Sequence, residues 1–424
     1  MEEFEAFILL GMWIIPHILV LNLVRCPSSV LTACLCTMLL VGVYLLKPAT
    51  SDLSRYSVYF NSGFLTEKPY SVTDEGNVSV HPEDKTGTPF LQAFSNNPGF
   101  RRMAEVLHDL IPPKPFLPRF SVYKKRYIAD GAILIIVLMG VAILLYTCRQ
   151  VISEKRTIAS ILPWKRYLYW LPLTLGSVFF FVGSQNALRQ FLALVFLTLA
   201  LSLGFNKRFI GMMIMAVIAL SFHQWAIGFV VIVIILISMH SMISANLIDS
   251  HPQMLSVGNL LSGVLVGCTG VLLIKVVAAG TADSVISYVA HNISIYSEIK
   301  QYIMMDFSNL ESRTGSWVKL GLVGCTIILS ELILGRTALP SSWDIRSIRA
   351  GFFGLMIPFG IYPEVLSRLM LCYFALELLL ICVALLARER RVRLAGAVLF
   401  VGYSLAPNGL NILLGPEWLI HMTF

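Results

Sequence analysis

Charge is scarce in this sequence. Asp, Glu, Lys and Arg supply 13% of its 424 residues, against 57% apolar residues. Soluble domains carry about 25% charged and about 45–50% apolar residues, so a water-soluble globular protein is excluded. Metal-ligand spacings are missing too. No Cys-x-x-Cys and no His-x-x-x-His occurs, which leaves no readable zinc framework. The eight cysteines (Cys26, Cys34, Cys36, Cys148, Cys268, Cys325, Cys372 and Cys382) sit in or beside apolar stretches, and none falls in the polar segment 47–126. A disulfide-stapled outer domain is therefore not expected. No basic stretch alternates with aromatics, so nucleic acid is not an expected partner. The start, Met1-Glu2-Glu3, lacks the basic residues and cleavage site of a secretory signal, and the first apolar stretch is read as retained. The lone histidines are taken as surface or interface residues.

Long apolar runs are what the sequence has in abundance. A membrane-crossing helix needs ~20 mostly apolar residues. Twelve candidate stretches follow one another: 4–23, 29–46, 127–147, 167–183, 186–205, 209–223, 225–240, 257–279, 317–335, 350–363, 366–387 and 394–414. The expected fold is an all-α polytopic membrane protein, one integral membrane domain over 1–424. The break between 223 and 225 is soft, and 350–363 is short enough to be re-entrant. The net charge of +8 reads as positive-inside loops. With the N-terminus outside, the short cytoplasmic loops hold Arg25; Arg149, Lys155, Arg156, Lys165 and Arg166; Lys207 and Arg208; Arg336, Arg346 and Arg349; and Arg388, Arg390, Arg391 and Arg393. The alternation closes with both termini outside.

Two outer segments are large. The first, 47–126, is punctuated by Pro and Gly. Within it, 99–111 places Phe100, Met103, Val106, Leu107 and Leu110 at helical spacing, the pattern of an amphipathic helix lying on the membrane or packed on the bundle. The second, 280–316, mixes Tyr288, Tyr296 and Tyr302 with polar residues and reads as a lid or a solvated connector.

Polar residues that interrupt apolar spans are costly, ~2.5–3.5 kcal/mol for an Arg at a span centre on insertion scales. Here they gather toward the outer leaflet. Gln185, Asn186, Arg189 and Gln190 open the fifth span. A guanidinium beside amides suits a phosphate or pyrophosphate; the alternative is Arg189 snorkelling to outer headgroups. His223 and Gln224 close the sixth span, where the imidazole is either a general base or an interface histidine. Arg368 begins the eleventh, four residues after Glu364. The two either pair or leave Arg368 as a second anion ligand. Asp52, Arg55, Tyr56 and Tyr59 follow the second span as carboxylate and aromatic groups suited to sugars, or as a solvated loop. Together they describe an outward cavity for an amphiphile with an anionic head and a hydroxyl-rich body.

Several short motifs resemble the EpsG-type, Wzy-like polysaccharide polymerases. They are Arg189-Gln190-Phe-Leu-Ala193, then Lys207-Arg208, then Ser221-Phe222-His223. Asp52-x-x-x-Tyr56-x-x-x-Phe60 and Glu364-x-x-x-Arg368-Leu369-x-x-x-Tyr373-Phe374 are similar to that family's early and late elements. Asn97-Pro98-Gly99-Phe100 resembles its Glu-Pro-Gly-Phe element, with an amide where the family has an acid. The resemblance implies a GT-C-like membrane glycosyltransferase of the bacterial inner membrane, its active site facing the periplasm or exterior. It implies a substrate of oligosaccharide units on undecaprenyl diphosphate, membrane lipids around it and a chain-length regulator as a further partner. On that reading Arg189 and Arg368 neutralise the departing diphosphate, and His223 or Asp52 takes the acceptor's proton. Arg55, Tyr56, Tyr59, Gln185, Asn186, Gln190, Gln224 and Glu364 line the substrate, and no metal or cofactor is required. The competing expectations are a flippase of lipid-linked glycans, an O-antigen ligase, and an O-acyltransferase using His223.

Overall fold

A computed structural model describes residues 2–25, 29–46, 70–72, 78–80, 97–110, 131–153, 163–177, 179–180, 183, 188–205, 208–223, 226–246, 252–278, 310–334, 345–385, 387 and 389–405. Apart from one short hairpin, the regular structure among them is helical. The helices are α1 (Glu2–Arg25), α2 (Val30–Leu46), α3 (Pro98–Leu110), α4 (Gly131–Ser153), α5 (Pro163–Leu175), α6 (Leu188–Phe205) and α7 (Phe209–Phe222). They continue with α8 (Ala226–Asn246), α9 (Pro252–Ala278), α10 (Leu310–Leu334), α11 (Ile345–Met356), a 3-10 segment (Ile357–Ile361), α12 (Pro363–Leu385) and α13 (Arg390–Leu405). The antiparallel hairpin pairs β1 (Tyr70–Val72) with β2 (Val78–Val80), Ser71 opposite Ser79.

Each of the twelve apolar stretches overlaps a helix. Local chemistry explains several starts. Ser29 caps α2, its hydroxyl 3.3 Å from the Thr32 amide, a common N-cap arrangement. Prolines occupy the first position of α3, α5, α9 and α12, where the missing N–H costs nothing and the fixed φ suits a helix. Among the described residues, two windows are long and apolar enough to cross a membrane by length and composition, Gly315–Ile333 and Val365–Cys382. Other helices carry apolar residues on an open face. In α7, Phe209, Ile210, Met213, Ile214 and Val217 are all exposed. Leaving five such side chains in water costs on the order of 10 kcal/mol, as much as the whole stability of a typical domain.

The contacts divide the chain into two compact units, changing over between Ala226 and Ile227. In the first unit, α1 packs on α2, α2 and α4 on α5, α4 and α7 on α6, and α3 on α7 and α4. Helix α6 lies inside, buried along nearly its whole length, and Phe191 meets Phe179 and Phe180 at 5.4 and 5.2 Å between ring centroids. His17 is buried in this unit, its Nδ1 2.6 Å from the Trp13 carbonyl oxygen and its Nε2 3.0 Å from that of Gly176. This histidine is therefore a core tie rather than a surface residue.

The second unit has α12 at its centre, buried from Val365 to Leu385 with few gaps. Helices α9 and α11 meet backbone to backbone. A side chain on Gly354 would strike the Leu260 carbonyl, 3.1 Å from its carbon, and one on Gly263 would lie 2.9 Å from the Leu355 amide nitrogen. Only glycine allows this approach, the packing that membrane helices favour. The short stretch 350–363 is α11 running into the 3-10 segment, with a break at Tyr362 before Pro363 restarts the helix.

Candidate functional site

Three sequence motifs of the first unit converge. Helices α6 and α7 form an antiparallel hairpin around Arg208. Near its turn a side chain on Gly204 would lie 2.6 Å from Met212 Sδ. Two turns before the other end, Phe196 stacks on Phe222 with centroids 5.3 Å apart and planes at 11°. The start of α6, with Arg189 and Gln190, and the end of α7, with Ser221 to His223, thus lie at one end of the hairpin. Arg189 is seven residues beyond the Phe196 level, or ~10 Å along the axis at 1.5 Å per residue. His223 follows Phe222 directly, so the two levels are separated by on the order of 9 Å along the axis.

Helix α7 ends where it does because His223 leaves the helical region, with φ −156° and ψ 124°. Its N–H still donates to the Ala219 carbonyl at 3.1 Å, and its carbonyl accepts from Ala226 N–H at 3.0 Å. The expected break at this point is real, and it holds the imidazole at the helix terminus. At the same end of the hairpin, α6 begins at Leu188. That end of the helix dipole favours anions, and Arg189 adds a full positive charge. Arg189, Gln190 and His223 are all buried.

The third motif closes on the same end. Asn97 is buried at the start of α3, its carbonyl accepting the Arg101 N–H at 3.1 Å, and Phe100 is fully buried. Gly99, just before Phe100, lies directly on Ser221. A β-carbon there would meet the Ser221 hydroxyl, and would stand 2.8 Å from its Cβ and 3.1 Å from its carbonyl carbon. The Ser221 hydroxyl donates to the Ile218 carbonyl at 2.7 Å. Glycine at 99 is therefore what lets α3 seat against the end of α7. The outward face of α3 carries Arg101 and Arg102, both donating to Glu105 at 3.0 and 3.2 Å. These hydrogen bonds hold the Glu105 carboxyl below its ordinary range.

Other expected site residues are placed differently or not described. Arg368 belongs to the second unit, half-buried in the second turn of α12. Glu364 falls in the first turn of that helix, with its side chain outside the described residues. Asp52, Arg55, Tyr56, Tyr59, Gln185, Asn186 and Gln224 lie outside the described residues, as does most of 280–316; the stretch 310–316 begins α10.

The second unit also holds a constellation that sequence reasoning missed. Arg349, expected in a cytoplasmic loop, is buried on α11. Its guanidinium pairs with Glu331 of α10 and stands 3.6 Å from the buried Glu377 of α12. Tyr373 donates to Glu377 at 2.7 Å, and its hydroxyl lies 2.9 Å from that of Tyr403 on α13. Arg393 was expected in a loop as well; it is buried and donates to the Ala387 carbonyl at 3.0 Å. The signal was present, since Glu377 interrupts an otherwise apolar run by the same rule that singled out Arg189. Position beside a basic cluster hid Arg349.

No family model, no curated protein and no solved structure matches this chain.

Proposed function

We propose that this protein is a membrane-embedded polymerase of polyprenyl-diphosphate-linked oligosaccharide units. The observation that carries the reading is the seating of Gly99 on Ser221. It gathers Asn97-Pro98-Gly99-Phe100, the Arg189-Gln190 start of α6 and His223 at one end of one unit. A buried guanidinium at a helix N-terminus suits a phosphate; a histidine at a helix break nearby suits proton transfer from a hydroxyl. Helix faces lined with exposed Ile, Leu, Met and Val suit lipid and a polyprenyl tail. They support a multi-pass arrangement of the apolar stretches, with this end toward the outer leaflet.

In the proposed reaction the non-reducing-end hydroxyl of one unit attacks the anomeric carbon of another. The new C–O bond forms as the bond from that carbon to the diphosphate breaks. The hydroxyl proton passes to His223 or Asp52, and polyprenyl diphosphate leaves with the electron pair. Arg189 stabilises the charge that builds on the departing diphosphate. Asn97, an amide, has no acid–base function and precedes α3, its backbone carbonyl accepting the Arg101 N–H. Arg368 is an anion ligand of the second unit.

Glycan length in cells lacking the protein tests the reading. Single repeat units in the deletion, with a ladder restored by wild type and lost with Arg189→Ala at equal protein level, are expected. An unchanged ladder in the deletion overturns the proposal.

A further inference from the structure

The buried network of the second unit has no place in the reaction just described, yet it is an expensive feature. One arginine and two carboxylates sit with two phenols among apolar helices. Such a pair contributes little to stability, because desolvation offsets the Coulomb gain. What it supplies is geometry. Tyr373 and Glu377 are one turn apart on one side of α12. Arg349 links that side to α11 and reaches Ser330 Oγ on α10 at 3.5 Å; Tyr403 links it to α13. Three neighbouring helices thus hold α12 by one face. Arg368 lies nine residues before Glu377, two and a half turns at 3.6 residues per turn, and so points to the opposite side.

We propose that Arg349, Glu377 and Tyr373 form a latch that sets the rotation of α12 and thereby aims Arg368; all three are positioning residues. Apolar contacts alone permit small rotations of a membrane helix, because they are non-directional. With a guanidinium ~8 Å from the axis, a ~20° rotation displaces it by ~3 Å. A shift of that size takes a guanidinium out of hydrogen-bond reach of an anion it holds. The inference rests on the anion-ligand role of Arg368 for its catalytic consequence, though not for the latch itself.

Cysteine labelling separates the two. Arg368→Cys and, as a control in the first unit, Arg102→Cys are made in a cysteine-free background of the full chain. Each is combined with Tyr373→Phe, or with the charge-free repacking Arg349→Met plus Glu377→Met, which keeps volume. A water-soluble maleimide is the probe. Both latch variants are expected to change the labelling rate at position 368 several-fold and to leave position 102 unaltered. Unchanged labelling at 368 in folded protein overturns the latch. If labelling shifts while latch variants with Arg368 intact keep full polymer length, the latch stands and the role of Arg368 in chain extension falls.

Discussion

The contact between Gly99 and Ser221 gives the sharpest test of the site's assembly. Gly99→Ala adds one carbon where the Ser221 Cβ is 2.8 Å and its carbonyl carbon 3.1 Å away. Ordinary contacts between carbons need about 3.5 Å or more, so α3 must back away by roughly 0.5–1 Å. Such overpacking costs about 1–3 kcal/mol where neighbours can yield, too little to unfold the protein. A displacement of that size at the reacting centre is worth up to ~100-fold in rate. Activity should therefore fall at least tenfold while expression and monodispersity hold. Ser221→Gly removes the hydroxyl and the Cβ, leaving only the backbone contact at 3.1 Å. The double variant should recover a substantial part of the loss. The assay is polymer length and initial rate in purified membranes for the four members of the cycle. Full activity in Gly99→Ala, or purely additive losses in the double variant, refutes the claim that this seating builds the site.

Three further outcomes follow from the same packing arguments. Gly354→Leu drives a side chain into the Leu260 backbone, 3.1 Å from its carbonyl carbon; a rigid backbone cannot yield, so we expect a loss of ~3 kcal/mol or more, read as a lower thermal midpoint and less folded protein. Tyr373→Phe strips Glu377 of a donor at 2.7 Å and breaks the 2.9 Å link to Tyr403; it should cost about 1–3 kcal/mol, and a cycle with Tyr403→Phe should show coupling. Glu105 is held below its ordinary range by Arg101 and Arg102. Its stabilisation of α3 is complete above the unfolded carboxyl value and is lost as pH falls through the lower folded value. Amide-exchange protection of 98–110, corrected for intrinsic rate, should drop there in wild type, with the step absent in Glu105→Gln.

How legible all this was in the sequence depends on which force placed each residue. A long apolar run free of turn residues pairs its backbone groups most simply within itself, as a helix, and every stretch found by hydropathy overlaps one. The break at His223 was visible only as a polar residue between two runs; the extended φ of that residue makes it definite. Arg189 was found because it is costly where it stands. Burial of Arg349 was hidden because its partners, Glu331 and Glu377, come from helices distant in sequence. Charge counting then assigned it to the nearest basic loop. The pairing of Gly99 with Ser221 was likewise unreadable, because each residue taken alone is common at a helix end. Only tertiary packing across 122 positions (99 to 221) makes glycine necessary there.

Reconstitution tests the central claim most directly. Purified protein in liposomes would be given a polyprenyl-diphosphate-linked oligosaccharide, and glycan length and released polyprenyl diphosphate would be measured together. The account predicts longer glycans with one polyprenyl diphosphate released per added unit, and loss of both with Arg189→Ala. Movement of the lipid-linked glycan between leaflets with no new glycosidic bond contradicts it and makes the protein a transporter.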